Sequence, residues 1–599
     1  MATLFYDRVA QTPDREAYRF PSGDGWESMT WRQTGEAVRR LAAGLLALGV
    51  GSEDPVAIAS ATRVEWVLAD LAITCAGAAT TTVYPTTGAE DVGYILSDSG
   101  SVVVFAEDET QVAKLRTLRD QLPDLLRVVV FDGRPDEDWV LGMEDLRELG
   151  DRYLAAHPSA VDDSVAAVRP DHLATLIYTS GTTGRPKGVE LTHSCWTYIG
   201  TGAESLDILS IDDLQYLWLP LSHSFGKMLE AVQLQIGFPT AVDGRMEKIV
   251  ENLAVVRPTF MAGPPRIFEK VHAKIQQTIE EEGGIKQSLF TWAFDVGHRY
   301  ADVRLAGGSP SSVLRFQHAV ADRLVFAKIR ARLGGRIRFL ISGSAALSPE
   351  VASWFYAAGM VILEGYGLTE TSAGASIVRL GDPVFGRVGQ PIPGTEVRIA
   401  ADGEILLRGP SVMRGYHNSP EATAEVLSSD GWLATGDLGE IDDKGRLRIT
   451  DRKKDLIKTS GGKYIAPQPI EVLFKAVCNL ASQFVVHAEG RNYATALVTL
   501  DADALAQWGR AHGLADAHYA VLAAHPEVHA QVRASVDHVN SRVNRWETVK
   551  DFRVLDHDMT VESGELTPSM KVRRKVVEST YRPVLDSMYA SSTQGPAKM

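Results

Sequence analysis

Cysteine is scarce in this chain, with three in 599 residues. Cys75, Cys195 and Cys478 lie far apart and form no C-x-x-C pair. That argues against a disulfide framework or a zinc site and fits a reducing compartment. Long apolar runs are also lacking. The opening MATLFYDRVAQTPDREAYRF has no apolar signal core, and the most apolar window, around 66–84, is interrupted by Asp70, Gly77 and a run of threonines. It reads as buried helix, loop and strand, not as a membrane span. Positive charge is in deficit: 61 Lys and Arg face 76 Asp and Glu, for a net charge of −15. Nucleic acid is therefore excluded as a main partner, and simple electrostatic docking on anionic membranes is disfavoured, with peripheral membrane contact left open. The basic run KVRRK at 571–575 reads as a solvated face. No internal repeat or long low-complexity segment occurs. These absences describe a soluble, cytoplasmic, multidomain globular protein.

What is present is an alternation of helical and strand-like segments. WRQTGEAVRRLAAGLLAL (31–48) has helical apolar spacing and stops at Gly49. DPVAIAS, SVVVFAED (101–108) and RVVVFDG (127–133) read as strands. Strands alternating with helices imply βαβ units and largely parallel sheets to about residue 380. The pattern then changes. TEVRIAADGEILLRG (395–409) and GEIDDKGRLRITDRKKD (439–455) read as hairpins, which predicts a small antiparallel β region. A mixed segment, a helical stretch at 502–547, a basic end and a disordered tail from 590 follow.

Three strand ends carry small and hydroxyl residues. The first, YTSGTTGRPKG (178–188), follows the buried strand LATLIYT and packs three glycines, five hydroxyl side chains and one lysine into eleven positions. Such a loop suits phosphate: backbone can approach closely, hydroxyls and amides donate, and lysine adds charge. It is not the P-loop of kinases and GTPases, because counting from Gly181 puts Pro186 where the second glycine is required. The second, IRFLISGSAALSPE (337–350), runs from strand to loop to a helix start at Ser348-Pro349-Glu350. The third, MVILEGYGLTET (360–371), brings Tyr366, Thr369 and Glu370. Together they offer amides for phosphates, a carboxylate for Mg²⁺ and an aromatic face for a base.

YTSGTTGRPKG, EGYGLTET, GWLATGDLG (431–439) and DRKKDLIKTSGGKYIAP (451–467), in this order, resemble the adenylate-forming superfamily of acyl-CoA synthetases, peptide-synthetase adenylation domains and luciferases. The resemblance spans about residues 30–580. VFAKIRARLGGRIRFLISGSAALSPE and GELTPSMKVRRKVV are most similar to bacterial long-chain fatty acyl-CoA synthetases. It implies an α/β N-terminal adenylation domain (1–450) of βαβ subdomains with a small β-barrel-like part. A smaller, mobile α+β C-terminal domain (451–589) follows it, and then the 590–599 tail.

The implied reaction converts a fatty acid and ATP to acyl-AMP and pyrophosphate, then transfers the acyl group to coenzyme A. By motif position, Thr179, Ser180, Gly181, Thr182, Thr183, Gly184 and Lys187 hold the β- and γ-phosphates. Glu370, with Thr179 as co-ligand, takes Mg²⁺. Gly343, Ser344, Ala345, Gly365, Tyr366, Gly367 and Thr369 surround adenine and the phosphates. Asp437 takes the ribose hydroxyls, and Arg452 is a second ribose residue. Lys571 matches the lysine that bridges substrate carboxylate and α-phosphate, although Met570 stands where the family form has glycine, and Lys575 is the alternative. Lys454 matches the hinge of the rotating domain, and Lys458 a lysine on its opposing face. His223, in LPLSHSFGKMLEA, borders the acyl and nucleotide sites, and FMAGPPRIFEKV (260–271) lines the acid tunnel. Competing readings are an acyl-AMP ligase loading a carrier protein, a ligase for a shorter or aryl acid, a luciferase-like monooxygenase and a non-catalytic scaffold. The last would break the motifs, yet Lys187, Glu370, Asp437 and Lys571 are all present.

Overall fold

The computed structural model describes residues 1–136, 138–179, 185–567 and 570–590. The expected tail beyond 590 and the loop residues Ser180, Gly181, Thr182, Thr183 and Gly184 lie outside them. Among the described residues two large sheets dominate, and each is built around parallel strands. One stacks Leu173–Thr179, Ala79–Val83, Pro55–Ala59, Val103–Asp108 and Arg127–Asp132 in parallel register. The other runs Val361–Tyr366, Phe339–Ser342, Phe260–Gly263, Gln215–Leu217 and Thr240–Val242 in the same sense. Strands such as Phe339–Ser342 and Ala79–Val83 are buried throughout, as parallel sheets covered on both faces require.

Local chemistry explains the helices. Trp31–Ala47 starts at Thr30, whose hydroxyl accepts from the Gln33 amide while the Gln33 side chain accepts from the Thr30 amide. Its apolar face buries Trp31, Val38, Leu41 and Leu45. Ser348 caps Pro349–Ala357 with proline in the first turn, as its sequence suggested.

Past residue 390 the chain makes a four-stranded antiparallel sheet from Glu396–Ile399, Glu404–Arg408, Leu433–Ile441 and Leu447–Arg452. From Ile457 onward a second core forms around the sheet Ala481–His487, Ala494–Leu500 and Val549–Val554. The fold class is therefore the expected one, a large α/β body with a small β part and a smaller α+β C-terminal unit.

Some local readings need correction. The phosphate-type loop follows a strand that is parallel on one side only. On its other side that strand pairs antiparallel with Lys187–Thr192, the strand beyond the loop. The helical stretch is three helices, Ala502–Ala511, Tyr519–Ala523 and Pro526–Asn540, the first two separated at Gly513, whose φ is +75°. KVRRK is only partly a solvated face: Arg574 turns inward, donating to the Val486 carbonyl and to Glu471, both at 2.7 Å.

The C-terminal unit closes on the helix Pro265–Glu282 through polar side chains. Asp501, which caps Ala502–Ala511, takes Lys270 at 2.8 Å, and Arg266 donates to Ser482 at 3.2 Å. Lys274 reaches Gln507, and Arg542 pairs with Glu350 at 2.6 Å. Exposed pairs of this kind each contribute about 0.2–1 kcal/mol. Replacing Lys270, Lys274 and Arg542 together by Ala should shift the closed population toward separated domains by up to about 10-fold without lowering the melting temperature. Small-angle scattering reads this as a larger radius of gyration in the ligand-free protein, and an unchanged radius would show that these contacts do not hold the closure.

Candidate active site

Leu433–Ile441 and Leu447–Arg452 pair so that Asp437 lies opposite Arg452. Asp437 is buried, at 3% exposure, and its carboxylate accepts from the Tyr366 hydroxyl at 2.7 Å and pairs with Arg452 Nε at 3.1 Å. Burial pushes its pKa up, and Arg452, Tyr366 and Lys571 oppose that push. Tyr366 thus reaches the expected ribose carboxylate through its hydroxyl, and its ring stands at the end of Val361–Tyr366 beside Gly367. Gly367 is obligatory, because a Cβ there would lie 2.3 Å from the Ala373 carbonyl oxygen.

Glu370 sits in the short 3₁₀ turn Thr369–Thr371, with Oε1 accepting from the Tyr416 hydroxyl at 2.8 Å. The Tyr416 ring lies 4.9 Å from Lys187 Nζ, a cation–π contact. Thr179 faces Lys187 across the hairpin. Tyr416, on the edge strand Gly415–Tyr416, is a site residue that the motif reading missed. Its only sequence signal is Gly-Tyr ahead of the helix start at Ser419-Pro420, and nothing in that signal says that the edge pairs with Lys187–Thr192.

His223 is the N-cap of Ser224–Ile236, its Nδ1 accepting from the Phe225 amide at 3.1 Å. Burial, aided by the Lys571 charge, lowers its pKa to about 3. The ring is therefore neutral, and because Nδ1 accepts, its proton is on Nε2. Ser224 touches Thr369 at 3.4 Å, tying this helix to the Glu370 turn. On the neighbouring loop, Gly343 is buried against Phe225, where a Cβ would stand 3.2 Å from the ring, and Ser344 and Ala345 are exposed. Ser344 holds φ +70°, a strained conformation for a residue with a side chain. Gly365 continues the same rim from Val361–Tyr366.

Lys571 enters from the C-terminal unit, where the Thr567 amide donates to the Lys571 carbonyl at 2.8 Å and Leu566 bridges Val572. Its side chain is open to solvent on one side and enclosed by protein on the others. That enclosure, with Arg452 adding to it, lowers the ammonium to about 8 against the pull of Asp437 and Glu370. Met570 carries φ +63°, the region glycine favours. Lys187, Glu370, Asp437, Arg452, His223 and Lys571 therefore converge. Lys575 does not join them: it is exposed on Arg574–Thr580. Lys454 lies exposed in the turn after Arg452, and Lys458 extends over Tyr464 at 5.8 Å, away from the cluster.

Among the described residues no group of three or more His, Cys, Asp or Glu could cage a metal. Glu370 retains one carboxylate oxygen beyond its Tyr416 bond and Thr179 offers a hydroxyl, a donor set that fits Mg²⁺ brought in with phosphates and water. The segment 260–271, expected to line the acid tunnel, places Met261, Ile267, Phe268 and Val271 around an all-apolar cavity of about 10 Å³, completed by Leu333 and Phe355 among others. A cavity of that size has no room for an acyl chain.

The AMP-binding enzyme family matches residues 5–417, and the AMP-binding enzyme C-terminal domain matches 454–593. The chain is 37% identical over 592 residues to the long-chain-fatty-acid–CoA ligase FadD15 of Mycobacterium bovis, covering 98% of this chain and 97% of that protein. It is 32% identical over 581 residues to the peroxisomal long chain acyl-CoA synthetase 6 of Arabidopsis thaliana, at 94% and 81% coverage. Among solved structures, the adenylation domain of a Mycobacterium chelonae carboxylate reductase aligns with TM-score 0.76 at 20% identity, over 98% of this chain and 91% of that one, which speaks for the fold alone.

The two roles of the His223 ring can be separated. His223→Asn keeps an acceptor for the Phe225 amide and loses the Nε2 donor, whereas His223→Ala loses both. Thermal unfolding should cost the alanine variant about 1 kcal/mol and spare the asparagine variant, while pyrophosphate release falls by about 10-fold or more in both. Full activity in the asparagine variant would reduce His223 to a helix cap.

Proposed function

The chain belongs to the AMP-binding enzyme family, and from that premise we infer that it is an AMP-forming long-chain fatty acid–CoA ligase. A fatty acid carboxylate oxygen attacks the α-phosphorus of ATP, the bond to the bridging oxygen breaks, and acyl-AMP and pyrophosphate form. The thiol of coenzyme A then attacks the acyl carbon, loses its proton, and expels AMP. What carries the reading is the convergence of Lys571, His223, Asp437, Arg452 and Glu370 in one cleft between two units, on a chain alignable over almost its whole length with fatty acid–CoA ligases. Carrier-protein loading and a shorter or aryl acid are not favoured, since those full-length relatives are long-chain CoA ligases.

The first step joins two anions, so the protein's part is positioning and charge neutralisation. We assign Lys571 to the gap between substrate carboxylate and α-phosphate, where its cation offsets the charge gathering on the reacting oxygens. His223 Nε2–H donates to an oxygen of the same group. Asp437 accepts the ribose hydroxyls, with Arg452 fixing its orientation, and Lys187, with the 179–184 loop, holds the departing pyrophosphate. Glu370 and Thr179 would hold Mg²⁺, which supplies neutralisation of the phosphate oxygens. Residues 1–450 serve as the adenylation domain and 451–589 as a domain that swivels at Lys454 to bring Lys458 inward for the second step. Three free, buried cysteines suit a cytoplasmic setting, and among the described residues no helix is long and apolar enough to cross a membrane.

Pyrophosphate and AMP release across fatty acids of increasing length, with and without coenzyme A, should peak at long chains and yield thioester. Acyl-AMP accumulating without thioester would replace the ligase by a carrier-loading enzyme. Lys571→Ala should cut adenylation by at least about 10²-fold and spare thioester formation from supplied acyl-AMP. Because the free-enzyme pKa of Lys571 is lowered to about 8, its cation is lost as pH rises through that value and not near 10.5. The kcat/KM for pyrophosphate release should fall on that alkaline limb, and Lys571→Arg, though slower, should lose the limb. A limb that survives in the arginine variant would belong to another group.

A further inference from the structure

Tyr416 reaches Glu370 and Lys187 from a strand of two residues, Gly415–Tyr416, at the edge of its sheet. Backbone bonds tie its flanks to the neighbouring strand: the Arg414 amide donates to the Glu190 carbonyl at 3.0 Å, and the His417 amide to the Gly188 carbonyl at 2.7 Å. So short a pairing sets register weakly, and a slip of one residue would turn the Tyr416 ring to the other face. Something more has to hold it.

What holds it is one carboxylate. Glu190, whose side chain is 15% exposed, accepts from Arg414 Nε through Oε2 at 2.7 Å and from His417 Nδ1 through Oε1, also at 2.7 Å. Both partners flank Gly415–Tyr416, so one side chain grips the strand at its two ends. Burial works against the Glu190 charge, but the bonds from His417 and Arg414 overcome it and hold the carboxyl below its usual range. Glu190 in turn draws the His417 imidazole up. The surroundings are shaped for this contact. At Gly188 a Cβ would lie 3.0 Å from the Tyr178 ring and 3.2 Å from the His417 Cβ, so only glycine lets His417 close in. Arg414 also reaches Glu53 at 3.5 Å, and Glu53 Oε1 accepts from the Leu173 amide at 2.6 Å, where the strand that ends at Thr179 begins. Surface ion pairs in general contribute little. This one is largely buried, uses both carboxylate oxygens and encloses a residue of the site.

We propose that Glu190 is a positioning residue for the phosphate end of the cleft: held by Arg414 and His417, it fixes Tyr416, and through Tyr416 the places of Glu370 and Lys187. The Tyr416 hydroxyl orients one Glu370 oxygen, and its ring holds the Lys187 ammonium. Asp437 and Arg452, at the ribose end, are held by Tyr366 and by each other, independently of Glu190. Loss of the clasp therefore weakens the grip on the β- and γ-phosphates and spares the AMP moiety. The inference rests on the ligase reading for the identity of that ligand.

Calorimetric titration of the full chain with ATP and Mg²⁺, and separately with AMP, tests it. Glu190→Gln keeps the shape and loses the charge; it should raise the Kd for ATP by about 10-fold or more and leave that for AMP within about 2-fold. In turnover the KM for ATP should rise, while the KM for the fatty acid and thioester formation from supplied acyl-AMP stay as they are. In a Tyr416→Ala background the same substitution should add less than about 2-fold, because the path through Tyr416 is already broken. Equal loss of ATP and AMP affinity would make Glu190 a general part of the fold and overturn the proposal. Unchanged ATP affinity, or full additivity with Tyr416→Ala, would overturn it as well. ATP binding absent from the wild type would instead remove the ligase reading, and the inference with it. Should Glu190→Gln fail to fold, His417→Gln removes one grip only and should show the same split between ATP and AMP at about 3-fold or more. No split in that variant refutes the clasp.

Discussion

The cleft is organised around a carboxylate taken out of water. Asp437 could not remain ionised in that position alone, because burial favours its neutral form. It is held by a hydroxyl from Tyr366 in the parallel sheet and by Arg452, its cross-strand partner in the antiparallel one. Each group belongs to a different layer, so the bond exists only if both sheets are in register. Arg452 is also the last residue of its strand, after which the chain enters the turn leading to the C-terminal unit. The charge pair therefore stands at the seam, and removing Arg452 leaves Asp437 buried without its cation, the costly half of a broken salt bridge.

The helix Ser224–Ile236 shows the same logic from the other side. At its start His223 is neutral, with a fixed tautomer. One turn later Lys227 is wholly buried between Asp70 and Glu230, and its amide donates to the His223 carbonyl at 3.2 Å. Burial pushes the Glu230 carboxyl up against the pull of the Lys227 cation, and the attraction of Asp70 and Glu230 raises Lys227 despite its own burial. An internal ion pair is weak evidence for stability but strong evidence for register. Here it fixes how far the helix can slide, and with that where the His223 ring stands.

Much of this was legible in the sequence, for identifiable reasons. Strands such as Pro55–Ala59 and Val103–Asp108 are short apolar runs bounded by turn residues, and the Asp-Gly turn before Glu404–Arg408 dictates a hairpin. Lys187, Glu370, Asp437, Arg452 and Lys571 sit in motifs whose order along the chain is itself informative. Tyr416 was not legible, because its role comes from an edge pairing between residues more than two hundred positions apart. The buried Lys227 was equally hidden: LPLSHSFGKMLEA presents it as an ordinary helix lysine, and only tertiary packing brings Asp70 to it. Arg574 was misread for the same reason, since a basic run says nothing about which member turns inward.

The polar groups of the site come from two bodies. Lys187 and the neutral His223 ring belong to the first, and Lys571 to the second, carried on a turn whose Met570 adopts a conformation better suited to glycine. Lys571 meets Asp437, Glu370 and His223 only while the units are together. The contacts between them in this state, Lys270 with Asp501 and Arg542 with Glu350, are partly exposed pairs, each too weak to lock the closure. A closure that depends on such pairs can be tightened by the charge of a bound nucleotide and relaxed when that charge leaves. Strong interdomain packing would have fixed Lys571 in place and made a second arrangement of the same cleft unreachable.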